Sequence, residues 1–237
     1  MKIYSSAYAP SPRKVLIFIA EKGIENIEVI NLDIGKMEHK TPEYKKIAPN
    51  SRIPALVLDN GDVILETTAI CRYLECLHPN PNLFGETPEE IAQIEMWYSR
   101  ISFELMLPLM HGFRHTHPHM SELENQNNEF GLAQRELAVQ SLKYYENELA
   151  GKEFIAANKF SYADIQAVTS LQFLVRLNKI DINEYNNLSE YINGVAARPS
   201  FTILSYLLIS SKNFIVCSPP FCKALASVIS EILSQFA

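Results

Sequence analysis

Residues 50–69 constrain the fold of this 237-residue chain more than any other stretch. Two short apolar runs, 55–58 and 63–65, flank Asn60-Gly61, a strong signal for a two-residue hairpin turn. Pro54 has no backbone N–H, so it belongs at the start of its strand. The second strand ends at Glu66-Thr67, where Thr67 is a suitable N-cap for a helix over residues 68–78. Strand, turn, strand and helix start, in this order, build one wall of a pocket.

The chemistry of that wall suits a small ligand with a carboxylate and an amine. Free N–H groups at a helix start attract a carboxylate. Glu66 alongside can hold an ammonium group. An Ile-Pro bond adopts cis far more readily than other peptide bonds. With Ile53-Pro54 in cis, Ile53 turns its N–H and C=O outward, and an extended ligand pairs with it as an added strand would. Any hairpin followed by a capped helix shows parts of this pattern. The full set at this spacing is what points to a ligand.

The rest of the chain reads as two strands and a series of helices. Residues 3–8 form a first strand and its exit. Ser11-Pro12 opens a helix, with Ser at the N-cap and Pro at the first helical position, and Gly23 ends it. Val15, Leu16, Ile19 and Ala20 fall on its apolar face. Residues 27–32 are a second strand, and Thr41-Pro42-Glu43 starts a short helix by the same chemistry. After the hairpin and its helix, the Pro- and Asn-rich stretch 78–82 marks a linker. Thr87-Pro88-Glu89-Glu90 carries a capping-box pattern for a helix reaching Pro108 or His111. Further helices are expected over 122–149, 161–178 and 184–197, with Asp164 reaching back to the Ser161 cap.

Several of these motifs resemble the cytosolic glutathione transferases over residues 1–200, and bacterial members most closely. They are Ile53-Pro54, Glu66-Thr67, Glu38-His39-Lys40, the run Phe113-Arg114-His115-Thr116-His117-Pro118, and Phe160-Ser161-Tyr162-Ala163-Asp164. The resemblance implies an α+β fold. A thioredoxin-like βαβαββα domain over residues 1–80 would bind glutathione, and a linker over 81–88 would lead to an all-α domain over 89–200. A C-terminal extension over 201–237 would follow. In it Cys222, Leu225, Ile229, Ile232, Leu233 and Phe236 lie at helical spacing. That pattern fits a helix over the substrate site, a dimer contact or a poorly ordered tail.

The resemblance also implies partners and roles. Glutathione would be the cosubstrate and a small electrophile the second substrate, in a cytoplasmic homodimer. The γ-glutamyl end would lie on Glu66 and Thr67, and the peptide would run along Ile53-Pro54. Lys40 or Arg52 would take the glycine carboxylate, with a solvated surface charge as the alternative for each and the better reading for His39. Ser11 would face the thiol, with Tyr4, Tyr8, Ser5 and Ser6 as alternatives, or else only cap its helix. Many relatives carry Ser or Cys where this chain has Ala9, ahead of Pro10, so a nucleophilic cysteine is not expected. Tyr8, His111, Arg114 and His115 would line the second-substrate cleft. Glutathione-dependent reduction of disulfides or hydroperoxides stays open, as does a non-catalytic regulatory or scaffold role.

Bulk properties narrow the classes. A formal net charge of −6 provides no general attraction for nucleic acid. Met1-Lys2-Ile3-Tyr4 reads as a strand start rather than the apolar core of a signal peptide. The apolar run 201–209 is too short to cross a bilayer. The four cysteines form no Cys-x-x-Cys pair. His115, His117 and His119 alternate as metal ligands can, but Pro118 interrupts them, and no metal site is expected.

Overall fold

The computed structural model describes residues 1–6 and 9–202. Tyr8 and the stretch 203–237 therefore lie outside the described residues. Four strands form one mixed sheet: β1 (Lys2–Ser5), β2 (Glu28–Asn31), β3 (Ala55–Val57) and β4 (Val63–Leu65). Their order is β2-β1-β3-β4, with β1 parallel to β2 and antiparallel to β3, and β4 antiparallel to β3. Helices α1 (Pro10–Glu21), α2 (Pro42–Lys45) and α3 (Thr67–Leu77) complete this part.

Alternation along the strands divides the apolar residues between the two faces of the sheet. Ile3, Val29 and Leu56 pack with Val15 and Phe18 of α1 and Ile70 of α3. Tyr4, Ala55 and Leu65 pack on the other side against Tyr44 and Ala48, with the Tyr4 and Tyr44 rings 5.5 Å apart. The hairpin differs from the two-residue turn read in the sequence. Leu58 N–H donates to Asp62 C=O (2.8 Å) and Gly61 N–H to Leu58 C=O (3.0 Å), so the loop holds three residues. Gly61 takes a φ of 91° at its end, the arrangement of a type I turn closed by a bulge.

The helical part comprises α4 (Pro88–Arg100), α5 (Leu107–Thr116), α6 (Asn128–Glu148), α7 (Tyr162–Asn178) and α8 (Asn186–Ala196). Pro108 does not stop the helix that α4 begins. A π-helical turn, Ile101–Met106, joins α4 to α5 and accommodates the missing N–H. Residues 122–127, expected as helix, instead follow a 3₁₀ turn at Pro118–Met120 and reach α6 as a loop. Gln126 Nε2 holds that loop by donating to the carbonyls of Arg114 and His117. Gly112 and Gly131 allow α5 and α6 to approach closely: a Cβ at Gly112 would lie 3.2 Å from the Arg135 amide nitrogen.

The two parts meet along α1. Phe18, Phe84 and Tyr162 pack as a ring cluster, with Phe84 and Tyr162 centroids 4.8 Å apart. Lys22 pairs with Glu75 of α3 at 2.5 Å and donates to the Pro81 carbonyl. Arg198 makes a two-pronged contact with Glu21 at 2.8 and 2.7 Å. Among the described residues no helix is long and apolar enough to cross a membrane.

Candidate functional site

Two helix starts face a common cavity, and they are built differently. α1 begins two residues earlier than the Ser-Pro pattern suggests. Pro10 is its first residue, Ala9 is the N-cap and no side chain caps it. Ser11 therefore does not act as the N-cap. Its hydroxyl makes no hydrogen bond among the described residues and is half-buried at the cavity wall. Pro10 and Pro12 have no N–H, so Ser11 supplies both the amide and the hydroxyl of this helix start.

α3 also begins one residue earlier than expected. Glu66 is the N-cap, without a side-chain cap bond, and Thr67 is the first helical residue. Glu66 has φ 70° and ψ 126°, a conformation rare for a residue with a Cβ. Such a backbone costs about 1–3 kcal/mol and persists where the surroundings enforce it. Its effect is to turn the chain sharply from β4 into α3, so that the first amides and the Thr67 side chain open onto the cavity.

That cavity has a volume of about 390 Å³. It brings together Ser11, Lys40, Arg52, Ile53, Pro54, Glu66, Thr67 and Arg114 from separate stretches of the chain. The Ile53-Pro54 bond is cis. Among the described residues no loop or turn hydrogen bond uses the Ile53 amide or carbonyl. The segment before it is held from behind, where Tyr44 OH donates to the Arg52 carbonyl at 2.7 Å. Lys40, Arg52 and Arg114 line this space together with Glu66 and Glu124. Burial, and then the like charge of Arg52, lower the pKa of Arg114, while Glu124 at 3.6 Å opposes the shift.

A larger cleft of about 1130 Å³ adjoins it and shares Ala9, Pro10, His39, Met110, Arg114 and Met120 as lining. Phe113, Phe173, Leu32 and Met37 add apolar wall, and the 118–123 segment closes one side. His39 lines both spaces, contrary to its reading as a solvated charge. It is buried, its Nδ1 has no hydrogen-bond partner, and burial followed by the nearby Lys40 charge lowers its pKa. The charged neighbours Glu38 and Lys40 hide its burial from a sequence reading. Glu124 was missed because its loop reads as helix.

His111 and His115 do not reach either cavity. Their rings pack on Phe130 at 5.5 and 5.1 Å, and His115 Nδ1 accepts from Asn127 N–H at 3.1 Å. Helical geometry explains the split: Met110, Phe113 and Arg114 share one face of α5, and residues 111 and 115 share the face toward α6. The two described cysteines lie outside both cavities. Burial pushes the Cys71 thiol well above its ordinary pKa, and Cys76 is exposed on α3.

Known proteins match this chain along most of its length. The family model for the glutathione S-transferase N-terminal domain matches residues 8–77, and the model for the C-terminal domain matches residues 97–199. Glutathione S-transferase 2 of Saccharomyces cerevisiae is 33% identical over 216 residues, which is 90% of this chain and 92% of that protein. The crystal structure of Gtt2 from the same yeast superposes with a TM-score of 0.80, covering 86% of this chain and 100% of that one. A glutathione S-transferase domain-containing protein of Marinobacter aquaeolei superposes with a TM-score of 0.78 at 35% identity, covering 85% of this chain and 100% of that one.

Proposed function

The chain belongs to the cytosolic glutathione transferase family, and from that premise we propose that the 390 Å³ cavity holds reduced glutathione and activates its thiol for attack on a small electrophile. The observation that carries this reading is the gathering of Ser11, Lys40, Arg52, Ile53, Pro54, Glu66 and Thr67 around one space. In this reading residues 1–80 form the glutathione-binding domain, 81–88 the linker and 89–200 the helical domain.

Each group has a physical task. The Glu66 carboxylate takes the γ-glutamyl ammonium, and the first amides of α3 with the Thr67 hydroxyl take the adjacent carboxylate. The backbone of Ile53 pairs with the cysteinyl unit as a strand edge would. Lys40 and Arg52 draw the glycine carboxylate. Ser11 then donates to sulfur. A free thiol with a pKa of about 8.5 is only a few per cent ionised at neutral pH. Lowering that pKa to about 6.5 takes roughly 2.7 kcal/mol of preferential thiolate stabilisation. One hydrogen bond to a charged acceptor plus a helix end is of that size. The thiolate forms its bond to the electrophilic carbon in the adjoining cleft, a leaving group such as chloride departs from that carbon with its bonding pair, and Arg114 lies on the shared wall. Positioning of the two reactants supplies the rest of the rate.

A homodimer and a cytoplasmic setting are part of the same reading. The exposed apolar side chains of Val63, Ile91, Phe103 and Leu107 support the dimer as surface a second copy can cover. Retention on immobilised glutathione tests the binding site. Wild type is expected to be retained and eluted by free glutathione, and Glu66→Ala to pass through. A wild type that passes through and turns over no chloronitrobenzene, hydroperoxide or mixed disulfide would sink the proposal.

A further inference from the structure

α3 starts in an unfavourable backbone conformation and without a side-chain cap, yet its first turn has to hold a fixed orientation at the cavity. The residue that ties it down is the next one along. Thr68 Oγ1 lies 2.5 Å from the Tyr98 hydroxyl of α4 and 3.3 Å from the Tyr162 hydroxyl of α7. Successive helical residues point about 100° apart, so Thr67 opens onto the cavity while Thr68 turns toward α4 and α7.

Both tyrosines are themselves held. Tyr162 is fully buried, its N–H donates to Leu83 C=O at 2.8 Å, and its ring lies between those of Phe84 and Tyr98 at 4.8 and 5.5 Å. It is also the first residue of α7, whose start is locked by Asp164 accepting from the Ser161 amide at 2.9 Å. The three hydroxyls therefore connect the cavity end of α3 to α4 and to the buried start of α7.

We infer that Thr68, Tyr98 and Tyr162 are positioning residues for glutathione: their shared hydrogen bonds hold the first turn of α3 so that Thr67 and the leading amides stay aimed at the γ-glutamyl carboxylate. The inference rests on the proposed seat of glutathione at α3. It adds that this seat is set by the helical region, through groups that do not touch the ligand.

Calorimetric titration with reduced glutathione tests it on the full chain, beside steady-state kinetics with a chloronitrobenzene and melting curves. Thr68→Val keeps the shape of the side chain and removes the hydroxyl. It is expected to raise Kd and KM for glutathione about five-fold, the worth of one net hydrogen bond, with kcat at saturating glutathione close to wild type. Thr68→Ser restores binding, and Tyr98→Phe weakens it to a smaller extent because Tyr162 remains. A Thr68→Val protein that melts earlier but keeps the wild-type Kd overturns the inference, since the hydroxyl then serves stability alone. If Thr68→Val does not fold, Tyr98→Phe is judged by the same criterion. Wild type and Glu66→Ala separate the two ideas. A wild type that binds, a Glu66→Ala protein that does not, and a Thr68→Val protein unchanged would remove only the positioning role. A wild type that does not bind removes the seat itself.

Discussion

Helix starts in this protein fall into two groups. Those away from the cavity are capped by side chains, except α5, which continues directly from the π-helical turn and has no separate start to cap. Thr41 accepts from Tyr44 N–H at the start of α2, Thr87 from Glu90 N–H at α4, and Asn127 from Phe130 N–H at α6. At α7 the Asp164 carboxylate takes the Ser161 amide and hydroxyl, and at α8 Glu146 takes the amides of Asn187 and Leu188. The two starts that face the cavity, α1 and α3, have no such cap. A cap satisfies donors that would otherwise seek a partner. Leaving them free forgoes that local stability and keeps the donors for a ligand. The two free starts also differ from each other. α3 offers a full set of leading amides, suited to a carboxylate with two oxygens. α1 offers one amide and one hydroxyl, both from Ser11, suited to a single sulfur atom.

The capped class should break hardest. Asp164 is buried and accepts from Ile155 N–H, Ser161 N–H, Ser161 Oγ and Tyr191 OH, each at 2.9 to 3.0 Å. Asp164→Ala leaves several buried donors without a partner and should cost about 3 kcal/mol or more, read as a lower denaturation midpoint. Burial pushes the Asp164 carboxyl up to about 6, from an ordinary value of 3.8. The native state therefore holds this proton more tightly than the unfolded chain. The resulting stability is fully present below pH 3.8 and is lost as pH rises through about 6. Asp164→Asn should abolish this part of the pH dependence. A wild-type profile unchanged by the substitution would remove Asp164 as its source.

The uncapped starts should behave in the opposite way, losing ligand and keeping stability. Glu66→Ala should weaken glutathione binding about ten- to a hundred-fold, the range for one hydrogen bond to a charged group. Its melting temperature should stay near wild type, because the removed carboxylate is exposed and caps nothing. A large fall in stability with intact binding would move Glu66 into the structural class.

These differences also explain what could be read in advance. The caps at Thr41 and Thr87, and the Asp164 reach to Ser161, are local patterns and were legible as such. So was the pairing of Ile53-Pro54 with Glu66-Thr67, because strand, turn and helix start follow one another in the chain. The start of α1 was misplaced by two residues and that of α3 by one. Ser11-Pro12 and Ala9-Pro10 both fit a helix start, and local chemistry does not choose between them. His39 lines both cavities together with Met110 and Arg114 of the helical region, an apposition that its neighbours in sequence do not encode. The orientation of His111 and His115 toward α6 was within reach, since the spacing of Met110, Phe113 and Arg114 already separates the two faces of α5.

Ser11→Ala sharpens the contrast within the uncapped class. It removes the hydroxyl and leaves the amide at position 11 in place. Loss of one hydrogen bond to a charged sulfur should raise the pKa of the bound thiol by about one unit. The acid limb of the pH–rate profile should move up by the same amount, giving about ten-fold lower activity near pH 6 and recovery above pH 9. Affinity for glutathione and thermal stability should be nearly unchanged, since Ser11 caps nothing. An unmoved profile would mean that another group faces the sulfur.

The smallest effect probes the sparseness of α1 itself. Pro12 removes an amide from the first turn, so Pro12→Ala adds a donor that α3 already has in its corresponding turn. An added partial charge at a helix end is worth about 0.3–1 kcal/mol to a nearby anion. The bound thiol pKa should therefore fall by about 0.2–0.7 units, read from the ultraviolet absorbance of the thiolate in the binary complex. Pro12 is buried, so some loss of packing should accompany the change without altering its sign. If the thiol pKa stays where it was, the helix end adds little at the sulfur, and the stabilisation at α1 comes from Ser11 alone.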